Sequence, residues 1–343
     1  MLSKRSFGRP IVAVPAKNEA ERLPTLLRAL ARQTWLSSSI RPLDVIVVLN
    51  NCTDHSAEIA RAVAILHAGL NLRIVEVDFP GISAHVGSAR RLAMQRAQEI
   101  GGPAAVLFST DADATPAADW IEASLRAIRA GADIVTGHIV GDINEEKVLG
   151  AGFARRAAGH LQYAKLIDRL KYLVEPVSHD PWPRHRDHTG ASIAVRAGVH
   201  RAVGGIPALP FREDVAFVAS AVAAGYGLRH APDVRVGVSA RLDGRARGGM
   251  SDCLKAWVAA EAIGLPHVVE SPESVLHQLA GNCRQAKTGA TRCSPPSESK
   301  KSWLPRALQR TSLKRFAPKV AIETAIQELT EMIAESENAA HVA

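Results

Sequence analysis

Two aspartates one residue apart, Asp111 and Asp113, follow the apolar run Ala104-Ala105-Val106-Leu107-Phe108. Carboxylates so spaced at the end of a buried strand can both face one hard cation. Mg²⁺ or Mn²⁺ held by one or two carboxylates and by substrate phosphates is the usual form of such a site. A cation there neutralises a departing diphosphate as a Lewis acid. A second acidic pair, Glu213-Asp214, stands at the expected start of a helix. It serves as a cap, or one member takes the proton of an acceptor hydroxyl, and Asp214 is the favoured base.

Other strand ends carry polar side chains. After Ile11-Val12-Ala13-Val14 comes Pro15-Ala16-Lys17-Asn18-Glu19, which has neither the glycines of a dinucleotide-binding turn nor those of a phosphate loop. Glu19 suits either a hydrogen bond to a base or ribose or the start of a helix. Asn50-Asn51-Cys52-Thr53-Asp54 offers amides to a base edge, or a turn followed by a helix cap. The stretch from Pro80 to Arg91 joins glycines to a helix start, where free N–H groups suit an anion and Arg90 or Arg91 suits a phosphate. His179, His185 and His188 cluster in a Pro-rich loop without a standard zinc spacing, and His230 is a candidate third metal ligand.

These residues need a scaffold that brings strand ends together. Apolar runs at 11–14, 45–49, 74–77, 104–108 and 133–136 alternate with helical patterns. One such pattern is Leu23, Leu26, Leu27 and Leu30; another is Ile121, Leu125 and Ile128, entered through Thr115-Pro116. Continuous apolar strands between helices predict an α/β fold, a mainly parallel sheet flanked by helices on both faces. Ligands of such sheets bind beyond the carboxyl ends of the strands. A helix over about 150–173, strands at 192–195 and 234–238, and a more polar helical region after 250 complete the pattern.

The 343 residues are 47% hydrophobic and 22% charged, which supports a sizeable core. A net charge of +8 suits an acidic partner, while 4% aromatics argues against base stacking and a nucleic-acid partner. Four cysteines without a CxxC pair, no signal-peptide pattern and no spanning apolar run lead us to expect a cytoplasmic protein. The basic stretch 300–319 is a candidate for peripheral contact with the inner membrane face, though Pro305 and Pro318 interrupt it.

In their order along the chain, Val14-Pro15-Ala16-Lys17-Asn18-Glu19, Asn50-Asn51-Cys52-Thr53-Asp54, Asp111-Ala112-Asp113, His188-Thr189-Gly190-Ala191-Ser192 and Glu213-Asp214 resemble family 2 glycosyltransferases of the GT-A fold. The resemblance covers about residues 10–240. It implies an inverting transfer from a nucleotide-diphosphate sugar to an acceptor hydroxyl. By this resemblance Pro15, Glu19 and Asn50 line the nucleoside pocket, Asp111 and Asp113 hold the ribose–diphosphate and Mg²⁺ or Mn²⁺, and Asp214 is the base. Arg241, Arg245 and Arg247 lie in a loop that folds over the diphosphate. Asn50-Asn51 stands where the family often has two aspartates, a departure that opens a GDP-sugar beside the default UDP-sugar. The resemblance places a GT-A-like domain at 1–249, with a nucleotide half to about 140 and an acceptor half from about 141. A helical extension follows at 250–343, with a flexible segment at about 285–301. Two rivals remain: a sugar nucleotidyltransferase, whose glycine-rich loop after the first strand is missing here, and a non-catalytic nucleotide-sugar-binding protein.

Overall fold

The computed structural model describes residues 8–244, 248–286 and 319–342. The chain forms two compact units, Met1–Glu146 with Asp187–Lys255, and Lys147–Arg186 with Ala256–Ala343.

The first unit is built on an eight-stranded sheet in the order β3-β2-β1-β4-β7-β6-β8-β5. Its strands are β1 (Pro10–Ala16), β2 (Leu43–Asn50), β3 (Leu70–Val77), β4 (Val106–Ser109), β5 (Thr115–Pro116), β6 (Ile134–Gly141), β7 (Ile193–Arg196) and β8 (Leu228–Val238). β3-β2-β1-β4 run parallel, as do β6 and β8. β7 runs antiparallel to both β4 and β6. The mainly parallel α/β sheet is thus the one the apolar runs predict. The reversed β7 brings the residues before it, including Gly190, to the edge where β4 ends.

Every residue of the central strands is buried, and successive side chains pack on opposite faces of the sheet. Val12 and Val14 of β1 join Val45 and Val47 of β2 under α1 (Leu23–Ala31) on one face. α2 (Trp35–Ser38) and α3 (Ser56–Ile65) follow. Ile11, Ala13, Ile46 and Val48 pack on the other face under α4 (Val86–Gly101) through Ala89, Ala93, Met94 and Ala97. α5 (Trp120–Arg129) closes the first face, its Trp120 edge-on to Phe108 at 5.0 Å between ring centroids. The expected entry to this helix through Thr115-Pro116 is corrected. Those two residues pair with β8, Ala117 donates its N–H to the Arg235 carbonyl, and the helix starts only at Trp120. Short α6 (Ile143–Val148) follows β6.

The second unit contains α7 (Gly150–Val174). Tyr163, Ile167, Leu170 and Val174 of α7 share a buried cluster with Ile322, Ala325, Leu329 and Ile333. That shared apolar face groups α7 with the C-terminal helices, whereas chain order alone drew one boundary near residue 249. α8 (Ala197–Ala202) and α9 (Glu213–Ala223) belong to the first unit, and α10 (Met250–Ala262) follows β8. β9 (Val268–Glu270), α11 (Pro272–Ala286), β10 (Lys319–Ala321) and α12 (Ile322–Val342) complete the chain.

Arg245 and Arg247 lie outside the described residues, as does most of the segment 285–301, of which Gln285 and Ala286 end α11. Of the basic stretch 300–319, Lys319 alone is described. Among the described residues no helix is long and apolar enough to cross a membrane.

Candidate functional site

β1, β2 and β4 are parallel neighbours, so the loops after them share one edge of the sheet. Pro15 is buried within β1 opposite Val48. Asn18 follows at φ 53°, a left-handed conformation that asparagine tolerates. The loop after β2 grips this turn. Asn18 Oδ1 accepts from the Thr53 N–H (2.8 Å), the Glu19 N–H donates to Ser56 Oγ (2.9 Å), and the Ala20 N–H donates to Asp54 Oδ2 (3.1 Å). Asp54 also accepts from the Ser56 N–H and hydroxyl at the start of α3. Burial works against its charge, but these hydrogen bonds hold its carboxyl below the ordinary range. Thr53 and Asp54 therefore serve the turn, and the cap position of α3 falls to His55. Asn50 differs. It is 2% exposed, its Nδ2 donates to the His85 carbonyl (3.2 Å), and its Oδ1 is buried with no hydrogen-bond partner among the described residues.

Arg90 of α4 is the buried centre of the site, 3% exposed. Nε donates to Glu213 Oε1 (2.9 Å) and Nη2 to Asp111 Oδ1 (2.8 Å), while Nη1 donates to Ser109 Oγ (2.9 Å) and the Gly190 carbonyl (3.1 Å). Four hydrogen bonds leave one of the five guanidinium donors. Burial opposes the charge, yet the carboxylates of Asp111 and Glu213 raise its proton affinity above the usual value. The Arg90 guanidinium, expected to pair with a phosphate, bonds here to four protein groups. Gly190 has to be small, since a Cβ there would lie 2.4 Å from the Arg90 guanidinium.

A second arginine gathers the other carboxylates. Arg241, in the loop after β8, forks onto both oxygens of Glu19 and reaches Asp113 Oδ2 at 3.0 Å. Burial first, and then the charge of Asp111, push the Asp113 carboxyl up to about 6, against the pull of Arg241. Glu145 secures this loop by accepting from Ser239 Oγ and the Ala240 N–H, both at 2.7 Å, and from Arg22 at 2.5 Å. Burial disfavours its charge, but hydrogen bonds from Ser239, Arg22 and Ala240 together keep it below the ordinary range.

Asp214 accepts from the Gly190 N–H through Oδ2 (2.6 Å) and from the Val215 N–H through Oδ1 (2.7 Å). Its helix begins directly after Arg212, whose φ of 57° is uncommon for a residue with a long side chain. An oxygen-only donor set suits Mg²⁺ or Mn²⁺, and the raised proton affinity of Asp113 beside Asp111 marks a like-charge pair that a cation would relieve. His230 does not extend that set. Among the described residues Asp111, Asp113 and His230 do not bring three donor atoms within 4.8 Å of one another, and the His230 ring meets that of His188 at 5.0 Å. Its place in β8 beside Thr136 explains why. The sequence reading missed Ser109 and Glu145, which carry no motif. It quoted Gly190 only inside a longer stretch, and the fit of that glycine against a guanidinium is a tertiary fact.

Ligands of an α/β sheet bind beyond the carboxyl ends of its strands, which is where these carboxylates and the buried amide lie. Residues 11–180 match the family model described as Glycosyl transferase family 2. The chain carries a glycosyltransferase family 2 domain. Glycosyltransferase AglE of Haloferax volcanii is 30% identical over 129 residues, covering 37% of this chain and 38% of that protein. The chain thus spans well under half the length of that relative. A mannosyltransferase from Pyrobaculum calidifontis in complex with GDP-Man and Mn²⁺ is similar at 18% identity, with a TM-score of 0.45 over 98% of this chain and 87% of that one. S. aureus TarS 1–349 in complex with UDP is similar at 14% identity, with a TM-score of 0.48 over 96% of this chain and 88% of that one.

Proposed function

We propose that this chain is a metal-dependent, inverting glycosyltransferase that moves a sugar from a nucleotide-diphosphate sugar to an acceptor hydroxyl. The observation that carries the reading is the Asp111–Asp113 pair at the end of β4. The pair has oxygen donors only, and burial, followed by the charge of Asp111, raises the Asp113 carboxyl to about 6. Mg²⁺ or Mn²⁺ bound there would neutralise the departing diphosphate.

The protein's own groups divide the remaining work. Asn50 at the end of β2 is assigned to the nucleoside side of the site, its amide matching the N–H edge that uracil and guanine both offer. A UDP-sugar remains the default donor and a GDP-sugar the alternative. Arg241 lies beside the carboxylates and supplies positive charge on the diphosphate side. Asp214 takes the proton of the acceptor hydroxyl as that oxygen attacks the anomeric carbon in line, which inverts the configuration. Its lone pairs beyond the two backbone contacts serve this role.

The test is release of nucleoside diphosphate from a panel of UDP- and GDP-sugars with and without Mn²⁺, in the wild type and in Asp113→Asn. Mn²⁺-dependent release that disappears in the variant supports the reading. Release of pyrophosphate instead would identify a nucleotidyltransferase, and equal turnover in the variant would sink the metal role.

A further inference from the structure

We infer that Arg90 is a positioning residue that fixes the base Asp214 relative to the metal-side carboxylate Asp111, rather than a ligand of the donor. This deepens the reading above and rests on it for the roles of those two aspartates.

The argument starts from connectivity. Asp111 ends β4, while Asp214 sits in the first turn of α9, and the two are 103 residues apart in sequence. Among the described residues no hydrogen bond joins them directly. Arg90 joins them twice. Through Nε it holds Glu213, the residue that precedes Asp214 on α9. Through Nη1 it holds the Gly190 carbonyl, and the N–H of the same glycine donates to Asp214 Oδ2 at 2.6 Å. Its Nη2 holds Asp111. Ser109 Oγ closes the ring by donating to the Gly190 carbonyl at 3.2 Å.

Chemistry favours positioning over ligation. A guanidinium is planar and presents its donors in a fixed fork, so four anchored bonds set direction as well as distance. It remains charged at any working pH. At 3% exposure it has little surface left to offer a substrate. Its two carboxylate partners, part-exposed Asp111 and buried Glu213, lie on opposite sides of the proposed reaction: Asp111 toward the donor diphosphate and Glu213 toward the acceptor base. A shift of the base by about 1 Å costs on the order of 100-fold in rate, which is the scale on which such a joint matters.

The discriminating variant is Glu213→Gln, which keeps the side-chain shape and still accepts a hydrogen bond from Arg90 but loses the charge. Arg90→Lys, which loses the fork, is its companion. Three measurements separate the roles. The first is the affinity for UDP or GDP in the presence of Mn²⁺ by calorimetry. The second is donor hydrolysis with water as acceptor, in the wild-type and Asp214→Asn backgrounds. The third is hydrogen exchange at the Gly190 amide. A positioning role predicts nucleotide affinity within about 3-fold of wild type. It predicts a drop in hydrolysis of at least about 10-fold that shrinks to under about 3-fold once Asp214 is already Asn. It also predicts at least about 10-fold faster exchange at Gly190 with unchanged exchange in the core of β1. Nucleotide affinity that falls in step with turnover would make Arg90 a donor ligand and overturn the inference. So would full additivity with Asp214→Asn, or an unchanged Gly190 amide. If Asp214→Asn itself leaves hydrolysis intact, the base assignment fails. If no donor is turned over, the proposed activity fails, and the exchange and affinity measurements still decide whether Arg90 holds this edge together.

Discussion

Arg90 and Arg241 each gather two carboxylates, and they do so on different foundations. Arg90 projects from the middle of a regular helix, its side chain 4% exposed, onto partners at the end of a strand and the start of another helix. Arg241 comes from a loop, its side chain 18% exposed, and its loop is secured by Glu145. A charge pair buried on fixed elements costs a great deal to break, because the survivor stays desolvated. The Arg241 pair is also largely buried, with Glu19 6% and Arg241 18% exposed, but Arg241 rests on a loop rather than on a helix. The first cluster is therefore suited to hold geometry, and the second to trade a protein carboxylate for a substrate phosphate.

The largest way to break that contrast is Arg90→Ala. It strands the buried Glu213, takes a partner from the part-exposed Asp111, and should cost about 3–5 kcal/mol of unfolding free energy. Urea denaturation checks it, and a loss below about 2 kcal/mol would put Arg90 in the same class as Arg241. Asp113→Asn comes next, with an expected loss of about 100-fold or more in Mn²⁺-dependent donor turnover, since a Lewis acid supplies several kcal/mol to such a step. Gly190→Ala pushes a methyl into the Arg90 guanidinium. It should destabilise by about 1–3 kcal/mol as overpacking does, a loss that thermal denaturation would register and that Arg90→Ala should largely relieve.

Arg241→Gln sharpens the other side. Its stability should fall by about 1–2 kcal/mol, because buried Glu19 loses its charged partner while the glutamine amide still donates to it, while calorimetry should show tighter Mn²⁺ binding alone, because the cation competing for Asp113 is gone, and weaker binding of the nucleotide diphosphate. Both affinities moving together would argue against an exchanging arginine. The smallest effect is in pH. Asp113 titrates at about 6 in the folded chain and at about 3.9 when unfolded. The folded state binds that proton more tightly, so its contribution to stability is full below about 3.9 and is lost as pH rises through about 6. Asp113→Asn should lack this decline. Denaturant midpoints at pH 5 and pH 7.5 for both proteins would show it, with the wild type losing ground to the variant at the higher pH.

Much of this was legible in the chain itself. The apolar runs at 11–14 and 45–49 announce buried strands because both faces of a covered sheet demand hydrophobic side chains. The leucines of α1 declare its inward face by their spacing. Local chemistry at Thr53 and Asp54 braces a turn, while the cap position of the following helix falls to His55. The local reading fails at Pro116, where a distant strand, β8, claims the backbone that helix-start rules would have used. It fails again at His230, whose strand position no motif reveals.

The sequence by itself determined the alternating scaffold and the acidic residue types at its strand ends, since hydrophobic period and turn chemistry are local properties. Only the tertiary structure decided which carboxylate belongs to which arginine. Arg90 meets Glu213 across 123 positions and Arg241 meets Glu19 across 222. Pairings over such separations are set by the packing of α4 and α9 on one face of the sheet and by the reversed direction of β7, and neither is written in any short stretch of residues.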